Sequence, residues 1–296
     1  MEKRKRFGRS DGRYLKNIDP FMRFLPFIMK GRNEAAVYFT QEIDVTDLKE
    51  WLNRRNREDG ADKSTAATIF HAVMAALVKT VVERPQMNRF IVGRRVYQRY
   101  QFSVAFVVKS EFRDDAKEEI VIMKFDENDT FTSVSEKIRN EVHQVRVAAK
   151  ENEDKRHGAV NWLNYLMNLP RFLLSGLVRL LTWVDYHGWL PRFVIEADPM
   201  HSSIFMSNLA SIQVDAPYHH LYEWGTTSVF MTMGVTKKLP QVMKDGQITI
   251  RDMMNFAFTV DERISDGFYY ARSIRRFKHL LEHPDQLDKP SKPGTI

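Results

Sequence analysis

The alternation of hydrophobic and polar positions predicts strands and helices that interleave along the whole chain. Residues 35–45, AAVYFTQEIDV, alternate between apolar and polar side chains and are rich in β-formers, which is typical of a strand. LPQVM and QITIRD flank the turn Lys244-Asp245-Gly246 and predict a hairpin. The other predicted strands share this short, apolar character: RRVYQ, FSVAFVV, EEIVIMKF, SSIFMSN, TTSVFMTMG and MNFAFTV.

Helix starts are predicted from capping residues. Asp19 followed by Pro20 indicates a short apolar helix, with Asp19 as its cap. Thr46 is the predicted cap of the next helix. Ser64 is the predicted cap of a long helix that Pro85 stops, and a charged helix is expected over residues 132–150.

The C-terminal half contains two further helical regions. Residues 158–191 are strongly apolar and predict two or three short helices broken at Pro170 and Gly188. A final amphipathic helix ends near Pro284. Its predicted inner stripe consists of Phe268, Ala271, Ile274, Phe277, Leu280 and Leu281.

Interleaved strands and helices without a repeat predict one α/β domain. We expect a basic flexible N-terminus at residues 1–12, the domain at 13–284 with an apolar helical insertion at 158–191, and a flexible tail at 285–296.

Composition narrows the possible functions. The chain of 296 residues has no cysteine, which excludes disulfides, thiolate zinc sites and a cysteine nucleophile. The net charge of +7 lies largely in the N-terminal residues, which favours a basic tail on an ordinary domain. No nucleic-acid, Walker, dinucleotide or HExxH motif is present, so neither nucleic acid nor a metal is predicted. No secretory signal or apolar run of about 20 residues is present, and we expect a cytoplasmic protein.

A dense polar cluster lies where the last buried strand meets the last helix, in TVDERISDGFYYARSIRRF. A structural explanation is available: Asp266 caps the helix, Gly267 allows the tight entry, and Arg263 pairs with an acid at the surface. Residue spacing alone does not separate this explanation from a catalytic one.

The order of several motifs adds a resemblance. DERISDG stands where the dihydrolipoyl acyltransferases of 2-oxoacid dehydrogenase complexes carry DHRxxDG, and MSNLAS stands where they carry SNLG. EIDVTDL, ERPQMN and KDGQITIRD are also similar. Over roughly residues 13–284 the chain resembles the catalytic domain of that family and, more distantly, chloramphenicol acetyltransferase. The resemblance implies a mixed sheet flanked by helices in one domain, with an extra helical insertion.

The resemblance also implies a chemistry. Family members transfer an acyl group between a lipoyl thiol and the thiol of coenzyme A, inside a tunnel between neighbouring subunits of a trimer. Ser207 matches the oxyanion donor that comes from the adjacent subunit. Asp266 matches the acid that holds the local structure. Glu262 stands where the family has its general base, a histidine.

The glutamate makes ordinary base catalysis harder. A thiol has a pKa of about 8.5, a histidine about 6.5 and a glutamate about 4.3, so the proton-transfer gap widens by roughly 2 units. Burial in a dry apolar pocket closes such a gap, whereas a nearby cation such as Arg263 widens it. His219 and His220 are alternative bases, although packing with Tyr218 and Tyr222 is the simpler interpretation.

The sequence differs from the family pattern at other positions, and some of these differences affect what we expect for packing and assembly. Phe268, Tyr269 and Tyr270 replace small residues, so the helix start must pack differently or the tunnel must be narrower. Ala210 replaces the glycine of SNLG. The sequence shows no lipoyl domain, so a lipoyl or acyl carrier is expected on another protein. The Pro/Lys tail suggests an isolated homotrimer.

Three functions remain open at this point. The first is an acyltransferase that binds coenzyme A thioesters and uses modified chemistry, so enzymatic activity is uncertain. The second is a catalytically inactive trimeric binding or scaffold protein. The third is a membrane-peripheral protein that uses residues 158–191, which alternatively cover the sheet, the trimer interface or an acyl-chain pocket.

Overall fold

The computed structural model describes residues 9–62, 65–109, 118–150 and 167–294. The strands are β1 (Gly12–Tyr14), β2 (Ala36–Asp44), β3 (Arg89–Val92), β4 (Arg95–Arg99), β5 (Phe102–Lys109), β6 (Glu118–Phe125), β7 (Ile204–Asn208), β8 (Val229–Val242) and β9 (Ile248–Asp261). The helices are α1 (Pro20–Ile28), α2 (Thr46–Glu58), α3 (Ile69–Glu83), α4 (Phe131–Lys150), α5 (Arg171–Tyr186), α6 (Arg192–Ala197) and α7 (Gly267–Glu282).

A six-stranded mixed sheet forms the centre of the domain, in the order β2-β9-β8-β7-β5-β6. The short strand β7 runs parallel to both of its neighbours, β5 and β8, while the remaining pairs are antiparallel. A second sheet, β1-β4-β3, contains two strands that the sequence pattern did not reveal, β1 and β3. The predicted mixed α/β architecture is confirmed.

The predicted hairpin is larger than the sequence suggested. LPQVM continues TTSVFMTMG as one strand of 14 residues, β8, and QITIRD continues into MNFAFTV as β9, also of 14 residues. A register shift between Met233 and Thr236 separates the two halves of β8. Gly246 adopts φ 80° at the turn, a conformation that glycine accepts without strain.

The helix starts agree with the prediction at one site and differ at two. Asp19 caps α1, accepting hydrogen bonds from the amides of Phe21 (2.8 Å) and Met22 (3.3 Å). Thr46 is the first residue of α2 and not its cap, because the carboxylate of the preceding Asp44 accepts the Thr46 amide at 2.9 Å.

The start of α3 was predicted too early. Ser64 lies outside the described residues, and the helix begins only at Ile69. Thr68 caps it through a reciprocal arrangement with His71, whose Nδ1 accepts the Thr68 amide at 3.1 Å. A side chain with a ring nitrogen therefore takes the place of the usual acid or amide in the capping box.

The main core lies between the six-stranded sheet and the helices α3 and α7. The middle of α3 is buried on all sides, as expected for a helix that is apolar around its circumference. For α7 the predicted stripe was wrong at its first two positions, since Phe268 is 73% exposed and Ala271 is exposed. Tyr270 and Ser273 are buried instead, because the helix is rotated to bring the Tyr270 hydroxyl onto β9.

Both described termini are packed, in contrast to the expected flexible ends. Arg9 is buried and forms ion pairs with Asp11 (2.8 Å) and Asp185 (2.6 Å). At the other end, the amide of Gly294 donates to the carbonyl of Val82 at 3.0 Å. The regions expected to be flexible at 9–12 and 285–294 are therefore part of the folded domain.

The apolar insertion is described from residue 167 onward. Its helix α5 is bounded by Pro170 and Gly188, the two predicted breaks, and is followed by the unpredicted short helix α6. The part of the prediction that concerns residues 158–166 lies outside the described residues. Within the described ranges, no helix is long and apolar enough to cross a membrane.

Candidate active site

The polar cluster after β9 contains a buried ion pair. Asp261 is fully buried, and its carboxylate accepts from Arg263 Nε at 2.8 Å and from Nη2 at 2.7 Å. Arg263 Nη1 also donates to the carbonyls of Met29 and Lys30, each at 3.0 Å. The surface pairing considered for Arg263 is therefore wrong. The arginine instead holds the end of α1 against the end of β9.

Asp266 is the cap of the last helix. Its Oδ1 accepts the amide of Tyr269 at 2.8 Å, and α7 begins at the next residue, Gly267. Because an aspartate at this position satisfies an amide that has no partner inside the helix, its observed contact is structural.

The three aromatic side chains after Gly267 lie in different environments. Phe268 is 73% exposed. The Tyr269 ring lies 3.8 Å from the guanidinium of Arg84. The Tyr270 hydroxyl donates to the carbonyl of Asp261 at 2.6 Å, and burial raises the pKa of Tyr270 well above its usual value. Of the two expectations for these aromatics, a different packing of the helix start is therefore what the structure supports.

Glu262 lies between the two buried residues of the ion pair and is itself half-buried. Its backbone amide donates to the carbonyl of Ala35 at 3.0 Å, which fixes the backbone against the start of β2. Among the described residues, none forms a hydrogen bond or ion pair with its carboxylate. The neighbouring Arg263 is held by Asp261, so its charge is already balanced. The Glu262 carboxylate is thus available for contacts outside this chain.

Ser207 lies near the end of β7 and is also half-buried. A cavity of about 380 Å³ lies between the start of α3 and strands β7, β8 and β9, and is lined on β7 by the next residue, Asn208, and not by Ser207. No charged side chain lines this cavity. Its walls include Thr68, Phe70, Asn208, Ala210, Met233 and Met254. Such a surface suits a neutral chain that carries a few hydrogen-bonding groups.

The strand register keeps Ser207 and Glu262 apart within one chain. Ser207 lies opposite Thr232 of β8, and Thr232 lies opposite Ala257 of β9. Glu262 is five residues further along, or about 17 Å, and two strand spacings add about 10 Å sideways. The two residues are therefore roughly 20 Å apart, too far to act on one bond. A site that uses both requires two copies of the chain.

The paired histidines are packing residues. The His219 ring stacks on Phe230 at 3.9 Å and on His220 at 4.6 Å. Both Nδ1 atoms lie against backbone carbonyls, at 2.7 Å for His219 and 3.0 Å for His220. The packing interpretation is supported, with Phe230 as a partner that the local sequence did not indicate. Within the described ranges, no group of histidine, aspartate and glutamate side chains could hold a metal ion.

Comparison with known proteins gives a match to one acyltransferase family model over part of the chain. Residues 197–288 match the family model of the 2-oxoacid dehydrogenases acyltransferase catalytic domain, and this segment contains both Ser207 and DERISDG. Over this segment the chain is similar to the 2-oxoacid dehydrogenase acyltransferases. The resemblance predicted from the ordered motifs is therefore confirmed.

Among proteins of known sequence, the chain is similar to the lipoamide acyltransferase component of the branched-chain alpha-keto acid dehydrogenase complex of Bacillus subtilis (strain 168). The identity is 23% over 245 residues, which cover 83% of this chain and 46% of that protein. The chain thus spans about half the length of the curated relative that it matches.

Solved structures show the same fold. A probable dihydrolipoamide acetyltransferase from Listeria monocytogenes 4b F2365 superposes with a TM-score of 0.57 and 15% identity, covering 96% of this chain and 98% of that one. The truncated catalytic core of a 2-oxoacid dehydrogenase complex from Thermoplasma acidophilum gives 0.53 and 14%, with 92% and 100% coverage. A chloramphenicol acetyltransferase gives 0.52 and 14%, with 91% and 99% coverage. The fold is that of chloramphenicol acetyltransferase-like cores.

The sequence indicated candidate residues for this site but not the environment of each side chain. Arg263 was visible as a charge, yet its burial depends on the carbonyls of Met29 and Lys30, more than 230 residues away in sequence. The cavity that Asn208 lines also depends on Thr68 and on the bulge in β8. The only local signal for it was the run MSNLAS, which places small and polar residues directly after a buried strand.

Proposed function

We propose that this chain is an acyltransferase that moves an acyl group from a coenzyme A thioester to an acceptor thiol. In this proposal two neighbouring copies in a homotrimer form each site, with Ser207 from one copy and Glu262 from the next. The observation that carries the proposal is the single family match that includes both residues. The roughly 20 Å between them within one chain supports a site at an interface between copies.

The proposed reaction assigns each group a step. The Glu262 carboxylate takes the proton of the acceptor thiol while the sulfur attacks the thioester carbonyl. The Ser207 hydroxyl donates a hydrogen bond to the oxyanion of the tetrahedral intermediate. The intermediate then expels the coenzyme A thiolate, which receives the proton back from Glu262. The uncharged cavity that Asn208 and Ala210 line, just after Ser207 in sequence, suits the neutral pantetheine arm or the acyl chain.

The difference between the ordinary pKa values of a thiol and a glutamate determines what environment a glutamate base needs. Proton transfer from a thiol to a solvated glutamate is uphill by about 4 pKa units, or about 6 kcal/mol. Proton transfer from a thiol to a histidine in the same place is uphill by roughly half as much. Since Glu262 is half-buried in one chain, the second copy has to complete its desolvation. Without that closure, Glu262 is more suited to orient a water molecule, which would give thioester hydrolysis.

A non-catalytic trimer that binds thioesters is the second candidate. The observation in its favour is that Glu262, which stands where the family has its histidine, is only half-buried in the single chain. In this case the cavity that Asn208 lines binds the thioester, and no group removes the thiol proton.

Thiol release from a panel of acyl-coenzyme A esters tests both candidates. The acceptors are dihydrolipoamide and water, and the variants are Glu262→Gln, Glu262→His and Ser207→Ala. Glu42→Gln is the matched control, because Glu42 is exposed on the neighbouring strand β2. For the enzyme we expect roughly hundredfold losses of kcat/KM in Glu262→Gln and in Ser207→Ala, with the control unchanged.

The other outcomes are equally informative. Release in the presence of water alone makes the protein a thioester hydrolase. If the wild type releases no thiol but the Glu262→His variant does, the result supports a binding protein with an intact site. If neither the wild type nor any variant releases thiol, and no thioester binds, the result contradicts thioester chemistry altogether.

A further inference from the structure

Helix α5 exposes an apolar surface that the described part of the domain does not cover. Of its 16 residues, only Asp185 is buried. Phe172 is 74% exposed and Trp183 is 51% exposed. Its other charged residues, Arg171 and Arg179, are both cationic. A folded domain rarely exposes such a continuous apolar surface unless a partner covers it.

Helix α1 has the same character. Its only charged side chain is Arg23, which is exposed. Four of its nine residues are large apolar side chains that are at least half exposed: Phe21 63%, Phe24 54%, Phe27 51% and Ile28 50%. The helix therefore presents aromatic rings and a positive charge to its surroundings.

A basic cavity connects the two helices. It has a volume of about 520 Å³ and lies between α1, the turn from β3 to β4, and Tyr186 at the end of α5. Three arginines line it, Arg23, Arg94 and Arg95, and no acidic residue does. The Arg94 guanidinium lies 5.5 Å from the centre of the Phe27 ring, so a cationic and an aromatic group are in contact in the lining of this cavity.

The connection between the helices is fixed by buried contacts. Asp185 holds Arg9 at 2.6 Å, which ties the end of α5 to the small sheet. A Cβ atom at Gly93 would collide with the backbone carbonyl of Tyr186, so the turn from β3 to β4 packs directly on α5. Trp189 extends the surface, with its ring 5.4 Å from that of Trp183. The helices and the cavity therefore form one continuous face, which we name the α1–α5 face.

The arginine and aromatic side chains of the α1–α5 face indicate what kind of partner binds to it. Guanidinium groups bind phosphate oxygens in pairs, and no carboxylate in the cavity competes for them. Tryptophan, tyrosine and phenylalanine beside arginine are typical of helices that lie in the plane of a membrane. A second copy of the chain would have to bring its own carboxylates to the three arginines. We propose that the α1–α5 face docks on an anionic phospholipid membrane, with lipid phosphates bound by the arginine cavity.

Vesicle flotation of the full chain tests this proposal. We expect the protein to float with vesicles made of equal parts phosphatidylglycerol and phosphatidylcholine, and to float weakly with phosphatidylcholine alone. Arg23→Glu combined with Arg95→Glu should reduce binding by roughly tenfold or more, since each reversal removes an attraction and adds a repulsion. Phe172→Ser on α5 combined with Phe24→Ser on α1, at positions 74% and 54% exposed, should reduce it on both kinds of vesicle.

Matched controls come from other surfaces. Arg54→Glu with Arg57→Glu changes the same charge on exposed positions of α2, and Val242→Ser changes a side chain that is 74% exposed at the β8–β9 hairpin. Both controls should float like the wild type.

Several results would overturn the proposal. One is the absence of flotation with the anionic vesicles, or equal losses in the controls. Another is a change of oligomeric state in the phenylalanine variant with unchanged flotation, which would make the face an interface between copies. The last is a protein that does not bind vesicles but binds inorganic phosphate, and loses that binding when Arg23 and Arg95 are replaced. That result would make the cavity a site for a free phosphorylated ligand.

Discussion

The ion pair between Asp261 and Arg263 is the residue-scale feature on which the position of Glu262 depends. Both side chains are almost completely excluded from solvent, and the arginine also holds two carbonyls after α1. Removing one partner of a buried pair leaves an uncompensated charge, which costs about 3–5 kcal/mol. Asp261→Asn should therefore lower the free energy of unfolding by about that amount.

Urea denaturation measures this change, with Glu196→Gln as its control. Glu196 pairs with Arg192 at 2.9 Å, but both side chains are exposed, and we expect a loss of less than about 1 kcal/mol. Similar losses in the two variants would contradict the structural role of the buried pair.

Asp266 allows a structural role to be separated from a catalytic one. Asp266→Ala removes the acceptor for the Tyr269 amide and should cost about 1 kcal/mol of stability. Asp266→Asn should be nearly neutral, because asparagine caps helices equally well. Thermal unfolding and thiol release measured on the same samples check this. If Asp266→Asn kept its stability but lost activity, the carboxylate charge itself would be needed for the reaction.

At the scale of elements, His201 connects α5 to the large sheet. Its Nδ1 lies 3.0 Å from Asp198, and its Nε2 lies 3.8 Å from Asp185 at the end of α5. Burial alone would lower the pKa of His201, but the two carboxylates outweigh it and raise that pKa above its ordinary value. Arg9 also contacts Asp185, and the indole of Trp224 donates to Asp198 at 2.5 Å.

The raised pKa predicts the direction of a pH dependence. The stabilisation by protonated His201 is complete below the pKa of an unfolded histidine, about 6.5, and is lost as the pH rises through the higher folded value. The stability difference between wild type and His201→Gln should therefore be larger at pH 6 than at pH 9. Urea denaturation at both pH values tests this, with the exposed His143→Gln as a control. An equal difference at both pH values would contradict it.

The elements also show what the sequence could predict. Strands such as FSVAFVV were identifiable because their apolar pattern is local. The start of α3 was not, because Thr68 and His71 form a cap without the usual residue types. The rotation of α7 depends on the contact of Tyr270 with the carbonyl of Asp261, which only the folded strand β9 provides. Local patterns therefore fixed the kind of element, while long-range contacts fixed where each begins and which side it buries.

At the scale of the whole molecule, the sequence offers candidate residues for the site but does not give its geometry. Ser207 and Glu262 were identified by their motifs, and no pattern in the sequence gives the distance between them. That distance follows from the register of β7, β8 and β9, a property of strand pairing. The register keeps the two residues at different levels of one sheet, so the proposed chemistry depends on assembly as well as on folding.

This dependence leads to a prediction about mixed assemblies. If every site takes Ser207 from one copy and Glu262 from its neighbour, then Ser207→Ala and Glu262→Gln damage different halves of the site. Each variant alone should keep only about a hundredth of the wild-type kcat/KM. Co-expression of the two in equal amounts should restore about a quarter of the sites, because each intact half is present with a probability of about one half in a closed ring of copies.

Thiol release by the purified mixed oligomer measures the recovery, and the two variants mixed only after purification show whether copies exchange. The double variant Ser207→Ala/Glu262→Gln co-expressed with wild type separates this arrangement from a site within one chain. A shared site would leave about a quarter of the activity, because a working site then needs two adjacent wild-type copies. A site within one chain would leave about half, and no recovery by the two single variants would agree with it. Recovery to about a quarter would agree instead with the 20 Å separation that the register imposes on Ser207 and Glu262.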